Sequence, residues 1–175
     1  YNIVEGTRRL SNQTTRLNHT EECGFGVVAC KKLTPGMTAL GFPGEVMKIQ
    51  KARDSFPYLE DYWVGIKGEK DFVLVPSIDR IEAITKTGIT SLGCIANEPG
   101  PDQLPNTFMT MRKRKKPIVL GGTLTLYLIV GQGCTVKVGE EITHFYGPGY
   151  HRNYEINKTG CNDFLESNCL VINEY

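Results

Sequence analysis

The 175-residue sequence has no Cys-x-x-Cys pair, a single tryptophan, 3 histidines and almost no net charge. Each shortage excludes something. With 20 Lys and Arg against 19 Asp and Glu, the formal charge of +1 gives no global field toward nucleic acid or an anionic surface. No apolar run approaches the ~18 residues of a membrane-spanning helix, so no membrane partner is expected. Cys23, Cys30, Cys94, Cys134, Cys161 and Cys169 stand 7, 64, 40, 27 and 8 positions apart, which matches no zinc-ligand template. No metal is therefore expected. A chain of this length needs no disulfide staples, and reduced thiols, several of them small core residues, are the economical reading. The histidines His19, His144 and His151 are scattered, which disfavours general-base chemistry by any of them.

Turn formers are plentiful instead. The 19 glycines and 9 prolines make up about one residue in six, against roughly one in eight in an average chain. That excess, with 40% apolar residues, favours many short strands over a helical bundle. The first 22 residues are polar and read as a loose arm or edge strand. Gly24 to Cys30 is short and β-prone, and Leu33-Thr34-Pro35-Gly36 is a turn. Met37 to Phe42 should form a strand closing on Pro43-Gly44. Val46, Ile49, Ala52 and Phe56 recur at helical spacing and predict a helix over residues 45–56, stopped by Pro57. Tyr62 to Ile66 and Asp71 to Val75 predict a hairpin, and residues 77–84 a short helix. The Pro-rich stretch from Gly93 to Asn106 should be an ordered irregular loop. Met109 to Met111 and Ile118 to Leu120 flank the basic run Arg112, Lys113, Arg114, Lys115 and Lys116. Leu124 to Val130 is the most apolar strand, and the tail from Pro148 is polar and aromatic.

Taken singly, the motifs are ambiguous. Gly24-Phe25-Gly26 is either a backbone cradle for a ligand or a glycine-kinked strand, and it lacks the third glycine and helix of a dinucleotide fingerprint. Asn97 could satisfy stray backbone groups in its loop, and Tyr146 could be a core tyrosine. Their order along the chain is more specific. A Gly-aromatic-Gly-Val strand is followed by Gly93-Cys94-Ile95-Ala96-Asn97-Glu98, then Pro105-Asn106, then Val138-Gly139-Glu140-Glu141-Ile142-Thr143-His144-Phe145-Tyr146-Gly147. This series resembles the SET-domain family of protein lysine methyltransferases, over residues 24–150.

The resemblance implies a mainly β fold of short strands and small sheets, with a C-terminal pseudoknot and one or two short inserted helices. It divides the chain into an arm (1–22), a catalytic domain (23–150, with a variable insert at 45–92) and a tail (151–175) that packs near the active site. It implies S-adenosylmethionine as cofactor, held by Gly24, Phe25, Gly26, Asn97 and Tyr146, and methyl transfer to a lysine assisted by Tyr146 and Tyr62. His144 falls where an aromatic residue commonly limits how many methyl groups are added. The protein substrate would be a histone tail or another lysine-bearing chain, and a histone would favour the nucleus. Glu98 stands where the family usually has His, and no counterpart of a zinc-binding tail is present. Tyr150, Tyr154 or Phe164 could close the site by aromatic packing instead. The basic run 112–116 reads as a solvated hairpin tip, a local contact for nucleic-acid phosphates, or an import signal. The alternative function is a SET-like module that has lost catalysis and binds protein or nucleic acid through this run.

Overall fold

A computed structural model describes residues 15–20, 24–66, 69–77, 89, 91–111, 118–148, 150 and 154–172. At its centre runs β3 (Thr38–Lys48), where Ala39 to Gly44, Val46 and Met47 are all buried. Burial on both faces erases the alternation that marks a half-exposed strand. On one side β3 pairs with β5 (Glu69–Pro76), and on the other with β7 (Thr123–Val130). The short β4 (Val64–Ile66) and β6 (Thr107–Thr110) form the edges, so the antiparallel sheet runs β4-β5-β3-β7-β6. A separate two-stranded sheet joins β1 (Thr15–Thr20) to β2 (Gly24–Ala29), so part of the polar arm is indeed an edge strand. Leu33, Leu40, Leu74, Leu128, Ile142, Val27 and Val136 are fully buried and knit the two sheets to the loops.

Two expectations give way here. The chain does not turn at Pro43-Gly44, because β3 runs straight through both residues. A strand residue points its N–H and C=O to the same side, and the Pro43 carbonyl accepts from Ser77 N–H, just past the end of β5. The donor that proline lacks therefore falls where the ladder stops, which makes proline tolerable in a central strand. The helix expected over residues 45–56 shrinks to α1 (Ile49–Ser55), since Glu45 to Lys48 extend β3. Val46 exchanges hydrogen bonds with Gly121 and Gly122 and lies opposite Leu74. Sheet pairing on both sides outweighs helical spacing in so short a run. After α1 a 3₁₀ turn (Pro57–Tyr62) leads into β4, so Tyr62 lies on the turn and not in the strand.

The hairpin of β4 and β5 forms, and so does that of β6 and β7. The second begins its return strand at Thr123, after a turn at residues 118–122. The basic run 112–116 and most of the helix expected at 77–84 lie outside the described residues.

The tail holds the largest surprise, α2 (Lys158–Ile172), the longer of the two α-helices among the described residues. The Asn157 Oδ1 caps it by accepting from Gly160 N–H at 2.9 Å. Cys161, Phe164 and Asn168 share its buried face. The Phe164 ring covers Gly131, a burial worth roughly 1.5–3 kcal/mol, and Asn168 Oδ1 accepts from Gln132 N–H at 2.7 Å. Phe164 thus anchors α2 to the end of β7, which leaves Tyr150 and Tyr154 as the tail aromatics beside Tyr146.

Candidate active site

The segment 141–146 passes between the two ends of the loop 97–107. On one side the His144 N–H donates to the Asn97 carbonyl at 3.0 Å, in a parallel bridge of Asn97 with Thr143. On the other, Thr107 N–H donates to the Thr143 carbonyl at 3.0 Å, in a parallel bridge of Thr107 with His144. Side chains tighten the crossing. Asn106 Nδ2 donates to the Glu141 carbonyl at 2.7 Å, while its Oδ1 accepts from Thr143 N–H at 2.9 Å. Thr107 Oγ1 donates to the Thr143 carbonyl at 2.8 Å. One asparagine thereby replaces a strand neighbour for two residues of a chain that has no room for a regular ladder.

On the side facing β2, Asn97 Nδ2 donates to Glu141 Oε1 at 2.8 Å, and this pair lies directly over Gly26. A Cβ at Gly26 would strike the Glu141 carboxylate and come within 2.9 Å of Asn97 Nδ2. The glycine is thus required by a close approach, and the backbone of β2 meets an amide and a carboxylate at this point. Gly24 and Phe25 precede it on the same strand, opposite Thr20 and His19.

Tyr146 emerges at the other end. Its hydroxyl donates to the Ala96 carbonyl at 2.9 Å, and its N–H donates to Glu98 Oε1 at 2.7 Å. The second oxygen of Glu98 accepts the Tyr154 hydroxyl at 2.9 Å. The rings of Tyr150 and His144 each pack edge-to-face with Tyr146, with ring centroids 4.9 Å apart in both pairs. Beyond them lies a cleft of about 730 Å³ lined by Pro101, Asp102, Tyr150, Tyr154, Glu155, Ile156 and Lys158.

Burial raises the Tyr146 hydroxyl pKa far above the usual phenol range, with Tyr154, Glu98, Tyr150 and Tyr62 adding in that order. The group stays protonated and can serve only as a neutral donor or acceptor. Burial pushes His144 down to about 4, against a smaller opposing pull from Glu98. Its imidazole is neutral at pH 7, and its buried Nδ1 has no hydrogen-bond partner among the described residues.

Gly26, Asn97, His144 and Tyr146 are thus gathered around one crossing. Tyr62 stands at its margin, half exposed, near enough to raise the Tyr146 pKa. Sequence reasoning assigned no role to Glu141 or Asn106, and it treated Glu98 only as a departure. The pair Glu140-Glu141 in the final motif was the available signal for the first of these. Asn106 could not be distinguished from a loop asparagine.

This threaded antiparallel architecture is that of a SET-like methyltransferase fold. The structure superposes on the provisionally assigned histone methyltransferase PFL0690c of Plasmodium falciparum with a TM-score of 0.51 and 16% identity, covering 79% of this chain and 96% of that one. It superposes on ATXR5, solved in complex with mono-methylated histone H3.1, with a TM-score of 0.52 and 13% identity, covering 83% of this chain and 61% of that one. No family model matches the sequence, and no curated protein does so. The likeness is one of fold.

Proposed function

We propose that the protein is an S-adenosylmethionine-dependent protein-lysine methyltransferase acting on a histone tail or another lysine-bearing chain. The observation that carries the reading is Tyr146, a half-buried hydroxyl held protonated and set on the Ala96 carbonyl where the 141–146 segment passes between the ends of the 97–107 loop. The fold supports methyl-transfer chemistry, and the ATXR5 complex supports a histone as one substrate class to test first.

The residues present suit the cofactor. The backbone of Gly26 lies without a side chain against the Asn97 amide and the Glu141 carboxylate, a donor and acceptor set suited to an amino-acid zwitterion. When bound, the cofactor supplies an electrophilic methyl group on a sulfonium. The chain's own residues have the task of presenting a neutral amine to it. A lysine with a pKa of ~10.4 is a cation at pH 7 and has no lone pair to attack with. A desolvated channel disfavours the ammonium, and the rings of Tyr146, Tyr150 and His144 make the surroundings largely apolar. The neutral imidazole of His144 adds no charge there. The Tyr146 oxygen and the Ala96 carbonyl are positioned to accept from the amine and hold its lone pair in line. Neither a metal nor a covalent nucleophile enters this scheme.

The test is incubation of purified protein with labelled S-adenosylmethionine and mixed histones, followed by mass spectrometry of the products. Methylated lysines lost in Tyr146→Phe would support the reading. Saturable cofactor binding without turnover on any protein would replace it with the decayed module.

A further inference from the structure

We infer that Glu98 is a positioning residue that locks the C-terminal segment onto Tyr146, an inference whose kinetic consequence rests on the methyltransferase reading and whose structural consequence does not. The two oxygens of this carboxylate work in different directions. Oε1 accepts the Tyr146 N–H at 2.7 Å, and Oε2 accepts the Tyr154 hydroxyl at 2.9 Å. Between these points Tyr150 packs its ring against Tyr146 at 4.9 Å. One side chain therefore ties the main chain of the site tyrosine to a residue eight positions further on. Both bonds have ordinary hydrogen-bond lengths, so one side chain holds both partners at once.

The residue type matters. A carboxylate offers two acceptor oxygens and no donor, which suits two incoming donors. The imidazole usual at this position in the family has one acceptor nitrogen when neutral and none when charged, so it could not receive both. Pro99 follows directly and is buried, which confines the Glu98 backbone to extended conformations and aims the side chain. Tyr150 and Tyr154 also line the cleft of about 730 Å³. Glu98 thereby sets the wall of the cleft and the pose of Tyr146 together, and a shift in one is transmitted to the other.

The full chain, Glu98→Ala, Glu98→Gln, Tyr154→Phe and the double variant Glu98→Ala/Tyr154→Phe are compared by amide hydrogen exchange at residues 146, 147, 150 and 154–158, and by kcat on histones. In Glu98→Ala, exchange in that stretch should accelerate by about tenfold or more, and kcat should fall by about tenfold to a hundredfold. Glu98→Gln keeps an acceptor for the Tyr146 N–H and can donate to the Tyr154 oxygen, so both readouts should return to within about threefold of wild type. Tyr154→Phe should accelerate exchange on its own and add nothing in the double variant, because Glu98→Ala already cuts the link to Tyr154. Unchanged exchange in a folded Glu98→Ala protein overturns the lock. Faster exchange with wild-type kcat overturns the positioning role and leaves a structural tie. A wild-type protein that methylates no protein substrate, histone or other, sinks the methyltransferase reading, while the exchange comparison still decides the lock.

Discussion

The sheet core and the threaded crossing are built from different forces. Around β3 and β7, Leu40, Leu74, Leu128 and Val130 are fully buried, and each excludes water from its neighbours without regard to direction. At the crossing the contacts are directional. Asn97, Glu98, Asn106, Thr107 and the 141–146 segment meet through side-chain hydrogen bonds between residues 35 to 50 positions apart. The core therefore tolerates any arrangement that fills its volume, whereas the crossing is specified atom by atom. Mutations should separate the two regions: in the core they should cost stability, and at the crossing they should cost chemistry.

The largest effect is expected from Leu128→Ala. Its side chain is fully buried, and truncation leaves a cavity that sheet strands cannot easily collapse into. Stability should drop by about 2–5 kcal/mol, read as a lower denaturant midpoint with an unchanged slope. Whatever fraction stays folded should retain wild-type turnover. A loss of turnover in the folded fraction would mean that the two regions are mechanically one.

Tyr146→Phe should do the opposite. The ring and its contacts with Tyr150 and His144 remain, so stability should change by about 1 kcal/mol, the scale of the single bond to Ala96. The rate should fall by about tenfold to a thousandfold, or ~1.4–4 kcal/mol of barrier, as for removal of one positioned polar group. Full turnover by the folded mutant would reduce Tyr146 to a core residue.

His144 sharpens the contrast through pH. The unfolded chain protonates this imidazole near 6.5 and the folded one only near about 4. Between those values the unfolded state binds more protons, so the fold loses stability as the pH drops from 6.5 toward 4. The loss should reach up to about 3 kcal/mol from this residue. In His144→Phe the stability difference between pH 7 and pH 4.5 should shrink by about 2 kcal/mol in urea titrations, the part of that loss reached by pH 4.5. An unaltered difference would show that the buried imidazole is protonated in the folded state as readily as in the unfolded one.

The division between the regions also explains what was legible. Apolar runs announced β5 and β7, and the ordered motifs from Gly24 to Gly147 announced the SET-like fold. The end of β3 was misread because a strand buried on both faces and an amphipathic turn place Val46 and Ile49 alike. The helix α2 is hard to read from the sequence although Asn157 is a good N-cap and Cys161, Phe164 and Asn168 lie on one face. Gly160 in its first turn and its few large apolar residues weakened the pattern. At the crossing, the resemblance points to Gly26, Asn97 and Tyr146, and the fold brings these three together. Glu98, Asn106 and Glu141 stand in the quoted motifs, but their partners are not legible there, because a polar side chain carries no periodicity and its partner is fixed only by the folded chain.

The smallest effect separates backbone space from side-chain chemistry at Gly26. An added methyl group in Gly26→Ala would push away the Glu141 carboxylate and part it from Asn97 Nδ2, ending a 2.8 Å hydrogen bond. Both displaced groups are the far ends of side chains that are only partly buried, so they can swing aside without disturbing β2. The cost to stability should be about 0.5–1.5 kcal/mol, that of one hydrogen bond. The cofactor would meet a raised floor and two misplaced polar partners, so its affinity should fall by about tenfold, or ~1.4 kcal/mol. Calorimetric titration with S-adenosylmethionine reads the affinity, and a thermal melt without ligand reads the fold. Wild-type affinity in a folded Gly26→Ala protein would remove this strand from the binding site and leave its close approach to Asn97 and Glu141 a matter of packing. Affinity lost only in step with melting would say that the crossing, too, is merely structural.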